Sequence, residues 1–182
     1  MIVGSIKENL SLEKRVSITP ETAKNIINLG LKVIIENNYA THIGILDKEY
    51  ETVGVEITKS SKEVFNNCNL LAKVNCPSDE EISNLKNQTI LIGMLNHSKN
   101  QNKINNILKK NIDIFSLELL PRISRAQSMD VLSSQSNLAG YRSVVDSVYE
   151  FEKAIPMMMT AAGTVPAAKV LVIGAGVAGL QA

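Results

Sequence analysis

The last fourteen residues, Lys169-Val-Leu-Val-Ile-Gly174-Ala-Gly176-Val-Ala-Gly179-Leu-Gln-Ala182, constrain the fold more tightly than any other stretch. An aliphatic run leads straight into G-x-G-x-x-G, and good helix formers follow. By itself that glycine pattern can mark no more than a tight strand-to-helix turn. With a strand in front of it, the pattern favours a dinucleotide-binding turn. In that reading Gly174 allows the sharp turn and Gly176 lets the backbone approach a pyrophosphate. Gly179 lets the new helix pack closely on the strand. The free N–H groups of Val177 and Ala178 at the helix start would face the phosphates, whose charge the helix dipole also favours. The acidic residue that grips the ribose belongs ~20 residues further on, past Ala182, so NAD and NADP are not told apart by this turn.

Short aliphatic runs alternate with helical patterns over the preceding 120 or so residues. Strands are expected at 2–5, 32–36, 70–74, 89–94 and 113–116, each bounded by polar or turn residues, as buried parallel strands are. Thr19-Pro20-Glu21 reads as a helix start, with Thr19 capping and Pro20 in the first turn, and Gly30 closes the far end. Ser78-Asp79-Glu80-Glu81 opens another helix. At 101–110, Ile104, Ile107 and Leu108 form one apolar stripe. Strands separated by helices imply an α/β fold with a parallel sheet covered on both faces. The expected organisation is a Rossmann-like domain over 1–128, a connecting helix and linker over 129–168, and the truncated start of a nucleotide-binding Rossmann domain over 169–182. Gly140 would permit a close helix crossing. One strand and a fraction of a helix cannot bury their own apolar faces, so the last fourteen residues are expected to be poorly supported or to pack against the first domain.

Charge narrows the function classes. Nineteen Lys and Arg stand against eighteen Asp and Glu, a formal net charge of +1, and there is no Trp. Such a chain has neither the basic field nor the stacking platforms of a nucleic-acid binder. Cys68 and Cys76 are the only cysteines, and their spacing suits thiols in a reducing compartment rather than a metal site, so no metal is expected. Met1 leads directly into the first strand, unlike a secretory signal. No apolar stretch reaches the ~18 residues of a spanning helix, because Pro156, Gly163 and Pro166 interrupt the nearest candidate.

The second informative stretch is Pro121-Arg122-Ile-Ser124-Arg125-Ala-Gln127-Ser128-Met-Asp130-Val-Leu-Ser133-Ser134. Arg122 can grip a phosphate or orient an amide, and Gln127 offers the donor and acceptor that a carboxamide needs. Equally, Asp130 or Ser128 can cap the following helix, and Arg122 can simply pair with Asp130.

This stretch, continued through Gln135-Ser-Asn-Leu-Ala-Gly140-Tyr141-Arg142, resembles the alpha subunits of proton-translocating NAD(P) transhydrogenases, of the alanine dehydrogenase/transhydrogenase superfamily. Lys14-Arg15-Val16 with Ile18-Thr19-Pro20, Leu71-Ala-Lys73-Val74, Thr160-Ala-Ala-Gly163 and the 174–179 turn fit the same family in order. The resemblance implies an NAD(H)-binding region that passes hydride to NADP⁺ held on a partner domain, coupled to proton movement through membrane helices elsewhere. It implies that Arg122, Gln127, Asp130 and Ser133 position the nicotinamide, and that Gly174, Gly176, Val177, Ala178 and Gly179 hold the cofactor. It further implies a homodimer, membrane and NADP(H)-binding partners, and peripheral attachment at the cytoplasmic face of the inner membrane. Hydride transfer needs orientation rather than a general base.

Alanine dehydrogenase is the alternative, with Arg15 and Lys73 binding an amino- or keto-acid. Its catalytic His is expected near the end of the 90–95 strand, where this chain has Asn96 followed by His97. An adjacent residue faces another direction. A non-catalytic nucleotide-binding module is the third reading.

Overall fold

Six short strands pair side by side, all parallel: β1 (Ile2–Ser5), β2 (Lys32–Glu36), β3 (Glu56–Thr58), β4 (Leu70–Asn75), β5 (Ile90–Met94) and β6 (Asp113–Ser116). Their order across the sheet is β3-β2-β1-β4-β5-β6, the arrangement of a Rossmann-like fold. Helices α1 (Pro20–Asn28), α2 (Asp47–Thr52), α3 (Ser61–Asn67), α4 (Asp79–Asn84) and α5 (Gln101–Leu108) supply the crossovers. The structure is a computed structural model that describes every residue from Met1 to Ala182. It divides into two compact units, Met1–Pro121 and Arg122–Ala182.

The strands are aliphatic on both faces because both faces are covered. Along β2, Val33 and Ile35 enter one buried cluster with Val3, Ile18, Tyr39 and Tyr50, while Ile34 enters the other with Ile6, Phe65, Leu71, Leu91 and Ile107. That split is the two-residue period of a strand, with each side chain on the opposite face from the last. At the start of α1 the Thr19 hydroxyl accepts from the Thr22 N–H at 3.3 Å, and Pro20 occupies the first turn, as expected.

One strand escaped the sequence reading. β3 has only three residues at a sheet edge, with Thr58 its single buried side chain, so no apolar run announces it. The strand read as third is therefore fourth, and the reversal of order lies between β1 and β4.

The second unit holds the 21-residue α6 (Val131–Phe151), a hairpin of β7 (Met158–Thr160) and β8 (Gly163–Val165), and the short α7 (Val177–Gln181). Helices α6 and α7 pack closely. A Cβ on Gly140 would lie 2.1 Å from the Ala178 carbonyl oxygen, so glycine makes the crossing possible. Asn137 Nδ2 donates to Gln181 Oε1 at 2.8 Å across it. Two expectations shift here. A section of the expected linker is β8, and the expected strand at 169–173 has no ladder partner, so it is not a strand. Its Leu171 and Ile173 are 83% and 91% exposed, as expected of an apolar segment with nothing to pair with. No helix is long and apolar enough to cross a membrane.

Candidate functional site

In open parallel sheets a crevice forms at the carboxyl ends of the strands where the order reverses. Here that point lies between β1 and β4, and it is filled by charge. Lys73, on β4, has a side chain only 3% exposed; its Nζ lies 2.8 Å from Glu81 Oε1 and 3.5 Å from Glu8 Oε2. Glu8 follows β1 and also accepts the Val74 N–H at 2.7 Å. Burial raises the Glu8 carboxyl above its ordinary value, outweighing the pull of Lys73. Beside them Arg15 donates through Nε to Glu13 Oε1 at 2.8 Å and through Nη2 to Oε2 at 2.7 Å. Asn75 Nδ2 reaches the same carboxylate at 3.2 Å. Beneath this layer the Ser5, Ser17 and Tyr39 hydroxyls bond to one another at 2.7–3.1 Å, and both serines donate to the Ala72 carbonyl.

The Arg15 fork holds the Glu13 carboxyl down at about 2. A carboxyl depressed in the fold contributes stability that is present above its unfolded value, near 4.5, and lost as pH falls toward 2. Glu13→Gln is therefore expected to lower stability at pH 7 and to shrink the difference between pH 7 and pH 3. Urea midpoints at the two pH values measure it; an unchanged difference would show that Glu13 takes no part in acid unfolding.

The crevice offers no acid–base group. Asn96 sits with φ at 47°, a left-handed turn that asparagine tolerates, and its carbonyl accepts from Lys99 and Asn100 at the start of α5. His97 is exposed in that turn, and His42 bonds through Nε2 to the Lys14 carbonyl at 2.7 Å.

In the second unit, Asp130 caps α6. Its Oδ1 accepts the Ser133 N–H at 2.9 Å and its Oδ2 accepts the Ser133 hydroxyl at 2.6 Å. Those hydrogen bonds, with a further pull from the Arg122 charge, hold the Asp130 carboxyl below its usual range. Both modest readings of Asp130 thus apply: it is a cap, and it feels Arg122. Gln127 lies on a 3-10 helix (Ser124–Met129) with its side chain exposed, and its carbonyl accepts the Asp130 N–H at 3.3 Å. The structure brings Arg122, Asp130 and Ser133 together and places Gln127 one short turn away.

The glycine turn has three different environments. Gly174 has φ at +114°, a conformation that excludes ordinary side chains. A Cβ on Gly179 would lie 2.0 Å from the Gly174 carbonyl oxygen, so the helix start folds back tightly onto the turn. Gly176 precedes α7, has φ at −81°, and a Cβ there would meet nothing within 4 Å. The N–H groups of Val177 and Ala178 lie in the first turn, where a helix supplies no partners. Open space above unpaired donors is a cradle that a pyrophosphate fits.

Sequence reasoning singled out Lys73 and Arg15 but not the carboxylates that hold them. Glu8 and Lys73 are separated by 65 positions, and only the parallel crossover makes them neighbours. Glu81 has the pattern of a helix-start acid, which it also is, since it accepts the Ser78 N–H at 2.7 Å.

The sequence matches the model of the alanine dehydrogenase/PNT N-terminal domain over residues 4–139 and that of the C-terminal domain over 143–182. It is 44% identical over 187 residues to the first of the separate chains that make up the NAD(P) transhydrogenase alpha subunit of Rhodospirillum rubrum, covering 100% of this chain and 49% of that protein. The corresponding alpha-subunit chain of Rickettsia prowazekii is 43% identical with the same coverage. The crystal structure of transhydrogenase from Sinorhizobium meliloti superimposes with a TM-score of 0.94 at 44% identity, over 100% of this chain and 54% of that one. An L-alanine dehydrogenase structure, 22% identical, shares the fold with a TM-score of 0.82, over 100% of this chain and 50% of that one. The chain thus spans about half the length of the curated relatives it matches.

Proposed function

The chain belongs to the alanine dehydrogenase/PNT family, and from that membership we propose that it is the amino-terminal portion of the NAD(H)-binding region of a proton-translocating NAD(P) transhydrogenase. The observation that carries the reading is the glycine turn, whose Gly176 faces open space beside the first N–H groups of α7. Gly174, Gly176, Val177, Ala178 and Gly179 hold the pyrophosphate of NAD(H). Bound NADH supplies the hydride, which NADP⁺ on a partner domain accepts.

The role of the chain's own residues is orientation. Asp130, fixed by two bonds from Ser133, and Arg122 beside it give the loop a defined charge pattern. Gln127 presents a donor and an acceptor to the carboxamide of the nicotinamide. Orientation of this kind accounts for a large share of a transfer barrier without any proton being moved. Proton translocation, membrane attachment and NADP(H) binding belong to the partner domains, with this chain held at the cytoplasmic face as one half of a homodimer.

The alanine dehydrogenase reading has less support. It needs Arg15 and Lys73 to receive a substrate carboxylate, and here each already holds a carboxylate of the chain. It also needs a histidine where Asn96 forms a turn.

The test is made on the complete polypeptide with its NADP-binding partner. Gln127→Asn is expected to slow NADH-to-NADP⁺ transfer by roughly tenfold or more, because it withdraws the amide by one methylene. NADH affinity should change little. An unchanged transfer rate would remove Gln127 from the site, and alanine-dependent reduction of NAD⁺ by the polypeptide alone would replace the transhydrogenase reading.

A further inference from the structure

We infer that Glu118 is a positioning residue for hydride transfer, acting as the clamp from which the Arg122 segment is hung. The inference rests on the proposed role of Arg122 and extends it to a carboxylate that no sequence motif marks.

Glu118 lies in a 3-10 helix (Leu117–Leu119) directly after β6. Its Oε1 accepts the Ser116 hydroxyl at 2.6 Å, and its Oε2 accepts the Leu95 N–H at 3.1 Å. Leu95 is fully buried and follows β5. The Asn96 N–H adds to the same carboxylate, and Asn100 Nδ2 holds the Leu95 carbonyl at 2.8 Å. One side chain therefore ties the exit from the last strand to the end of the strand before it. Burial alone would push the Glu118 carboxyl up; these donors outweigh it and hold the group below its ordinary value.

The segment beyond Glu118 is what makes the clamp matter. From Leu119 to Arg125 no side chain is buried: Leu119 and Ile123 are 58% and 53% exposed, and Pro121, Arg122, Ser124 and Arg125 are exposed as well. Ala126, 6% exposed, is the next buried position, and Asp130 with Ser133 makes the next side-chain anchor. Between Glu118 and Ala126 the segment is fixed only at its ends. Pro121 stiffens its middle by locking one dihedral, so a shift at the Glu118 end carries through to Arg122 four residues later. A group misplaced by about 1 Å can cost a transfer reaction up to roughly a hundredfold.

Glu118→Gln keeps the shape and one acceptor but loses the charge and half of the clamp. In the complete polypeptide assembled with its NADP-binding partner, transfer from NADH to NADP⁺ is expected to slow by roughly tenfold. NADH affinity should stay within about twofold, because the glycine turn is untouched, and the melting temperature should be preserved. Ser116→Ala, which removes one arm and leaves the carboxylate, should give a smaller loss of the same kind. Amide hydrogen exchange at Leu95 and Asn96 reports release of the clamp independently of activity. Faster exchange at those amides with unchanged transfer would overturn the inference, since Glu118 would then only tidy the β5 turn. So would equal losses of transfer and NADH affinity in both variants. If the unsubstituted protein itself neither binds NADH nor transfers hydride, the failure lies with the proposed function instead.

Discussion

Gly176→Val is expected to leave the fold intact and abolish NADH binding, weakening it by roughly a hundredfold or more through loss of the pyrophosphate approach. The two halves of that expectation have separate grounds. The backbone at Gly176 has φ at −81°, which valine adopts without strain, and a Cβ there meets nothing within 4 Å. Stability should therefore barely move. The same empty space is what a phosphate would need, and a branched side chain fills it directly in front of the α7 N–H groups. Gly179 is the control. Its added Cβ would lie 2.0 Å from the Gly174 carbonyl oxygen, so Gly179→Ala should disturb the turn itself. NADH titration by fluorescence, with circular dichroism on the same samples, separates the two. A well-folded Gly176→Val protein with unchanged NADH affinity would show that the cofactor does not use this turn.

The features written in consecutive residues were legible in the sequence. The aliphatic runs of β1, β2, β4, β5 and β6 and the Thr19-Pro20 helix start can each be seen locally, because burial on both faces and capping impose local patterns. So can the α6 cap at Asp130, although its coupling to Ser133 through both backbone and hydroxyl cannot. β3 is invisible because three residues at an edge bury almost nothing. The 169–173 run misleads for the opposite reason: its residues have every strand property except a partner. The polar layer at the switch point escapes because Glu8, Glu13, Arg15, Lys73 and Glu81 lie on separate elements. Only the β1–β4 adjacency gathers them, and no local pattern specifies that strand order.

Lys73→Met should be the most destabilising of the substitutions considered, by about 3–5 kcal/mol, because it removes one partner from a buried ion cluster. Methionine matches the length of the lysine stem and packs in its place, so little of the loss comes from a cavity. The loss comes from Glu8 and Glu81, which remain near one another with the cation gone. For a domain whose whole stability is of order 5–15 kcal/mol, that is a large share of the total. The pH dependence follows from the direction of the Glu8 shift. Its carboxyl is raised in the fold, so folding favours its protonated form; that contribution is complete below the unfolded value and fades as pH rises through the folded one. Without Lys73 the Glu8 value climbs further, and the gap between mutant and wild type should be wide at pH 7 and narrower at pH 5. Adding Glu8→Gln should recover some of the loss at pH 7 and remove most of its pH dependence, as expected for groups in contact. Urea denaturation of the four proteins at both pH values measures all of this. A loss below about 1 kcal/mol, the same at both pH values, is the behaviour of a solvated surface pair. That result would reopen Lys73 as a residue available to a substrate carboxylate, and with it the dehydrogenase reading.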